Sequence, residues 1–137
     1  MTGQATEFQF RLDLASGVPV YRQIIDQVLG AIATGSLAGG DRLPTVRQVA
    51  VDLSINPNTV MRAYRELEIR QVLTTQQGIG TFVTRKPVEV SEAERQGRLS
   101  RLIGELLARG GAEGFSAGEI LERLQEVVSG EDTGRQR

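Results

Sequence analysis

The chain has 137 residues with a formal net charge of −1, ordinary apolar content and few aromatics, enough for one packed domain and a smaller appendage. It contains no Cys and no His, which excludes disulfides, thiolate or imidazole metal sites, and Ser–His or Cys–His nucleophiles. The near-neutral total hides an asymmetry: residues 42–86 carry seven basic against three acidic side chains, and residues 88–137 carry seven against ten.

Reading from the N-terminus, "FQFRLDL" alternates Phe8, Phe10, Leu12 and Leu14 with polar residues, the period of a half-buried strand over residues 8–14. After "ASGVP", Val20, Ile24, Val28 and Ile32, joined by Tyr21, Ile25 and Leu29, fall at helical spacing, and Gly35 ends that helix. "GSLAGGDRL" reads as a turn-rich link. Thr45 and Gln48 form a capping-box pattern for a short helix whose inner face is Val46, Val49, Ala50 and Leu53. "SIN" then leads to "NPNTVMRAYREL", with Asn56 as N-cap and Pro57 at the first helical position. Two short helices joined by about three residues make a helix-turn-helix. "VLTTQQGIGTFV" has β-branched residues on both sides of a Gly-containing tip, a hairpin.

The end of "RKPVEV" together with Ser91, residues 87–91, reads as a linker. Beyond it, Leu99, Leu102, Ile103, Leu106 and Leu107 fall at i, i+3, i+4, i+7 and i+8 of a second helical region. Ser116 and Glu119 begin a further capped helix containing Ile120, Leu121, Leu124, Val127 and Val128. Residues 130–137 are polar and read as a disordered tail. The expected architecture is therefore mainly α with a small β-hairpin: a winged helix-turn-helix over residues 1–86 and two helices over residues 92–129.

The helix from Pro57 carries the chemistry. Val60, Ala63, Tyr64 and Leu67 share one side, while Asn58, Arg62 and Arg65 lie opposite, with Thr59 and Glu66 on the flank. A helix N-terminus with unpaired N–H groups favours phosphate. Arg can bond guanine in two places, Asn can do so to adenine, and Thr can reach a phosphate or a thymine methyl. One arginine alone would be an ordinary solvated charge. Two capped helices, a tight link, a hairpin and local positive charge together point to a second helix that enters the major groove.

The stretch "PVYRQIIDQVLGAIATGSLAGGDRLPTVRQVAVDLSINPNTVMRAYRELE", continuing to "GIGTFV", resembles the GntR family of bacterial transcription regulators. It has that family's P-x-Y-x-Q-I opening, its G-x-L-x-x-G-x-x-L-P-[ST]-x-R signature, its T-V-x-x-A-Y-x-x-L helix and its G-x-G-T-F-V wing. "NPNTV" and the short two-helix ending look most like the YtrA subfamily. The resemblance implies that Thr45 and Arg47 contact DNA, and that Asn58, Thr59 and Arg62 read or grip the major groove. It also implies that Gly78 and Gly80 let the wing tip approach the minor groove. Two features depart from the family pattern. Gln71 stands where Gly often follows the recognition helix, and Gln76 and Gln77 stand where the wing is often basic, leaving Arg85 and Lys86 as the nearby cations.

The C-terminal stripe of Leu99, Leu102, Ile103, Leu106, Leu107, Ile120, Leu121 and Leu124 is too large to bury within two helices, so a homodimer is expected, as the subfamily resemblance also implies. A twofold dimer would meet a pseudo-palindromic operator in double-stranded DNA. About fifty residues leave little room for an effector pocket beside a dimer interface, and a small-molecule effector is left open. No cofactor is expected. No apolar run reaches the roughly 20 residues of a membrane span, and "MTGQATEFQF" lacks signal-peptide order, so a cytoplasmic protein without membrane contact is expected. The leading function is a sequence-specific DNA-binding regulator, expected to repress because the short chain has no evident activation surface. The rival is a winged-helix module for protein–protein or RNA contacts. Catalysis would need paired carboxylates, a Ser–Lys pair or a carboxylate-held metal; no such motif is present, and "GIG" lacks the strand-to-helix setting of a nucleotide site, so no enzyme is expected.

Overall fold

The computed structural model of the chain describes residues 8–85 and 90–130. It divides into two compact units, Met1–Lys86 and Pro87–Arg137. The first unit holds helices α1 (Val20–Thr34), α2 (Val46–Leu53) and α3 (Pro57–Ile69), followed by strands β1 (Leu73–Gln76) and β2 (Gly80–Val83).

Its core is built around α3, which packs on both α1 and α2. Val60, Ala63, Tyr64 and Leu67 of α3 are buried with Ile24, Ile25 and Val28 of α1 and Val49 and Ala50 of α2. Leu37 and Leu43 from the α1–α2 link and Leu73 and Val83 from the hairpin close the cluster. Each of the Val, Leu and Ile side chains contributes about 1.5–3 kcal/mol by leaving water, which fixes α3 rotationally as well as in position.

No strand forms over residues 8–14. Residues 8–13 have no regular secondary structure and end in a short 3-10 turn, Leu14–Ser16. The alternation that suggested a strand has a different cause. The Gln27 amide accepts from the Arg11 N–H at 2.9 Å and donates to the Arg11 carbonyl. The Gln23 amide does the same for Asp13, at 2.8 and 3.0 Å. Residues i and i+2 of a straight chain are about 6.6 Å apart, and residues i and i+4 of a helix rise about 6 Å. Two glutamines one turn apart on α1 therefore meet alternate residues of the incoming segment, as a neighbouring strand's peptides would. Phe8 and Phe10 pack edge to face, with centroids 4.9 Å apart, and Phe10 reaches the core.

The α2–α3 turn is short because both sides are capped. Ser54 takes the left-handed conformation at φ 55°, and the Ile55 N–H returns to the Ala50 carbonyl at 3.0 Å. Asn56 then caps α3 through Asn58 N–H at 2.8 Å. At the far end of α3 the Val72 N–H reaches the Leu67 carbonyl at 2.8 Å, which requires the left-handed residue that Gln71 supplies at φ 63°. The departure from Gly at this position leaves the cap geometry unchanged and places a side chain in a strained backbone region.

β1 and β2 pair antiparallel from Leu73 opposite Val83 to Gln76 opposite Gly80. The α1–α2 link is more than a turn. Gly40 N–H donates to the Val83 carbonyl, Val83 N–H to Asp41, and Leu43 N–H to Thr81, each at 2.8 Å, so residues 40–43 flank β2 as a third rung.

The second unit contains α4 (Glu92–Ala112) and α5 (Ala117–Ser129), with Ser91 capping α4 and a Ser116–Glu119 capping box opening α5. The bare backbone of Gly110 leaves room for Ile120: a Cβ there would lie 2.5 Å from the Ile120 Cδ1. No residue of either helix is buried. Leu99, Leu102, Ile103, Leu106 and Leu107 are each between 40% and 62% exposed, and Leu121 and Leu124 are half exposed. The expected linker falls mostly outside the described residues, as do Lys86 and the expected tail beyond Gly130. Among the described residues no helix is long and apolar enough to cross a membrane.

Candidate nucleic-acid interface

The local sequence dictates which groups point outward at the N-terminal ends of α2 and α3. Thr45 is the N-cap of α2. Its Oγ1 accepts from the Gln48 N–H at 3.1 Å, and the Gln48 side chain accepts from the Thr45 N–H at 2.9 Å. The hydroxyl thus has a structural task first, and keeps its own O–H for an outside acceptor. Arg47, in the first turn of the same helix, is exposed.

On α3, Asn58, Arg62 and Arg65 are exposed on the side away from the buried Val60, Ala63, Tyr64 and Leu67, and Thr59 is half-buried at the flank. Asn58, Met61, Arg62, Arg65, Glu66 and Ile69 line one open depression with Tyr21 of α1. The expectation that free N–H groups at the tip of α3 would attract phosphate needs correction. Pro57 has no N–H, Asn58 N–H is capped by Asn56, and Thr59 N–H bonds the Asn56 carbonyl at 3.0 Å. With these donors used internally, anion attraction at this end falls chiefly to side chains.

Arg62 is not a loose cation. Its Cζ lies 3.8 Å from the centroid of the Tyr21 ring. Tyr64, by contrast, serves the interior. Its ring is 3% exposed, and its hydroxyl donates to the Pro44 carbonyl at 2.7 Å. Burial pushes its phenol well above the usual tyrosine range, so it remains a proton donor. That bond ties α3 to the residue just before Thr45 and sets the two polar helix ends relative to each other.

The two wing glycines differ in what they do. Gly78, at φ 78°, sits at the hairpin tip with open space where a Cβ would be, so the backbone conformation alone favours glycine. Gly80, at φ 151°, lies against Arg42: a Cβ there would start 2.8 Å from the Arg42 Nε. Arg85 similarly lies across Gly40. The tip residues Gln76, Gln77 and Ile79 are exposed and uncharged. Positive charge near the wing is therefore carried by Arg42, whose guanidinium lies against Gly80 beside the tip, and by Arg85 just after β2. Reading from sequence missed Arg42 and Tyr21. The excess of basic residues in the central segment was the only hint of the first, and nothing in the helical pattern distinguished the second from a core aromatic.

Comparison with known proteins agrees with this geometry. Residues 20–83 match the model of the gntR family of bacterial regulatory proteins. The chain is 34% identical over 116 residues to the HTH-type transcriptional regulator YhcF of Bacillus subtilis, covering 84% of this chain and 94% of that one. It is also 34% identical over 118 residues to the HTH-type transcriptional repressor YtrA of the same organism, covering 86% and 88%. The solved structure of YtrA from Sulfolobus acidocaldarius, a GntR-family transcription factor, superposes with a TM-score of 0.55 at 32% identity, covering 72% of this chain and 97% of that one. With its helix-turn-helix, its hairpin wing and its short helical ending, the chain belongs to the gntR family of bacterial regulatory proteins and is a YtrA-like transcription regulator.

Proposed function

We propose that the protein represses transcription by binding, as a homodimer, a pseudo-palindromic operator in double-stranded DNA. α3 is the recognition helix in this reading. Asn58 and Arg62 read base edges, Thr59 supports them from the flank and Arg65 from the same outward side, and Thr45 and Arg47 hold phosphates beside the groove. The wing, turning at Gly78 and Gly80, contributes shape, with phosphate contacts from Arg42 beside its tip and Arg85 at its base.

The observation that carries this is the division of α3 into two faces: one sealed by the core from Val60 to Leu67, the other left open and lined with Asn and Arg. The exposed apolar side chains of α4 and α5, from Leu99 to Leu107 and at Leu121, Leu124 and Val128, supply the dimer surface. Two copies would place their recognition helices about one helical turn of DNA apart.

The test is a selection from a randomised duplex pool followed by a gel shift of the enriched site against a scrambled version at moderate salt. The enriched duplex is expected to bind at least about a thousandfold more tightly. Equal affinity for both would defeat the reading. Arg47→Ala should weaken binding to every sequence alike and lower the salt slope by about two per dimer, one for each protomer, whereas Asn58→Ala should relax preference at one base pair per half-site.

A further inference from the structure

We infer that Tyr21 is a positioning residue for sequence readout, its ring holding the Arg62 guanidinium in the pose from which that group donates to a base. The inference rests on the reading of α3 as the recognition helix.

The guanidinium carbon of Arg62 stands 3.8 Å from the centre of the Tyr21 ring. The two residues come from different helices and meet in the depression that also exposes Asn58 and Arg65. A competing partner is within reach in sequence: Glu66 lies one turn after Arg62, at the spacing where helix ion pairs form. Its Oε1 instead contacts the Arg70 Nη2 at 3.2 Å. Among the described residues Arg62 makes no ion pair, so its charge is not neutralised by the protein itself.

Stacking and base reading use different parts of the same group. A guanidinium stacks through its flat face and donates through its five edge N–H groups. With its central carbon 3.8 Å above the Tyr21 ring, the Arg62 guanidinium can rest on that ring by a face and keep its edge for a base. Because apparent affinity scales with the fraction of molecules already in the binding pose, a platform that limits the wandering of a long side chain raises affinity and sharpens the preference for one base pair. A carboxylate in the same place would steer Arg62 but would consume the edge.

The test uses the full chain and a labelled duplex carrying the site that the wild type enriches from a randomised pool, together with single-base variants of it. Tyr21→Leu is expected to weaken binding about three- to tenfold and Tyr21→Phe, which keeps the ring, by less than about twofold. Arg62→Ala flattens preference at one base pair per half-site; Tyr21→Leu should flatten the same position and no other. In the Arg62→Ala background, Tyr21→Leu should change little. Thermal unfolding of each variant separates this from a packing defect, since Tyr21 also leans on the core. If Tyr21→Leu and Arg62→Ala are additive, or if Tyr21→Leu lowers affinity equally for every base variant, the positioning role is wrong while the recognition-helix reading stands. If the wild type enriches no site, both fall together.

Discussion

Removing one oxygen from the interior gives a sharp test of how α3 is locked. In Tyr64→Phe the ring remains and the bond to the Pro44 carbonyl, 2.7 Å in the wild type, disappears. A net hydrogen bond contributes about 0.5–1.5 kcal/mol. Pro44 is itself only half-buried, so its carbonyl can recover a water and the cost should be near 1 kcal/mol. The pH dependence is more diagnostic. Desolvation raises the folded-state pKa of this phenol above its unfolded value of about 10. Stability from the raised pKa is complete below pH 10 and is lost as pH rises from there toward the folded-state value, because the unfolded chain releases a proton that the folded chain keeps. The loss approaches about 1.4 kcal/mol per pH unit. Urea unfolding followed by far-ultraviolet circular dichroism, at fixed protomer concentration, should show Tyr64→Phe less stable at pH 8. Its deficit should shrink or reverse near pH 11, where other alkaline titrations affect both proteins alike. Parallel pH profiles for the two would refute a buried phenol donating to Pro44.

Gln71→Gly should stabilise the first unit by about 0.5 kcal/mol, since relief of a left-handed side-chain residue slightly exceeds the extra freedom of glycine in the unfolded chain; a lower urea midpoint would contradict the cap geometry. Gly80→Ala should cost about 1–2 kcal/mol and Gly78→Ala about 1, and only the former should be partly rescued by Arg42→Ala, because only Gly80 has a side chain pressed against it. Ile103→Glu, placing a charge in the exposed apolar stripe of α4, should convert the dimer to monomer in sedimentation velocity without loss of helix content; an unchanged dimer would move the interface elsewhere.

Periodicity and capping chemistry carried much of the fold in readable form. Thr45, Asn56, Ser91 and Ser116 each stand where a helix begins, and the buried face of α3 consists of the four residues that helical spacing places together. These signals are local, written within one turn. What could not be read depends on partners distant in the chain. Residues 8–14 alternate as a strand would, yet they meet Gln23 and Gln27 rather than a sheet, and alternation cannot reveal what lies opposite. Arg42 appeared to sit in a turn, although hydrogen bonds from residues 40–43 to β2 bring it against Gly80. The Arg62–Tyr21 stack likewise joins two helices whose spacing shows only that Tyr21 is near the core. At the candidate interface, residue types announced the chemistry, while the internal use of the α3 N–H donors and the contact of Arg62 with Tyr21 emerged only from three dimensions.

Dimethyl sulfate probing of the enriched duplex addresses the groove itself, because guanine N7 lies on the major-groove floor. Bound wild-type protein should protect guanines in two clusters about ten base pairs apart, and Arg62→Ala should restore reactivity in both. Tight binding with N7 reactivity unchanged throughout would place the protein outside the major groove and contradict the assignment of α3.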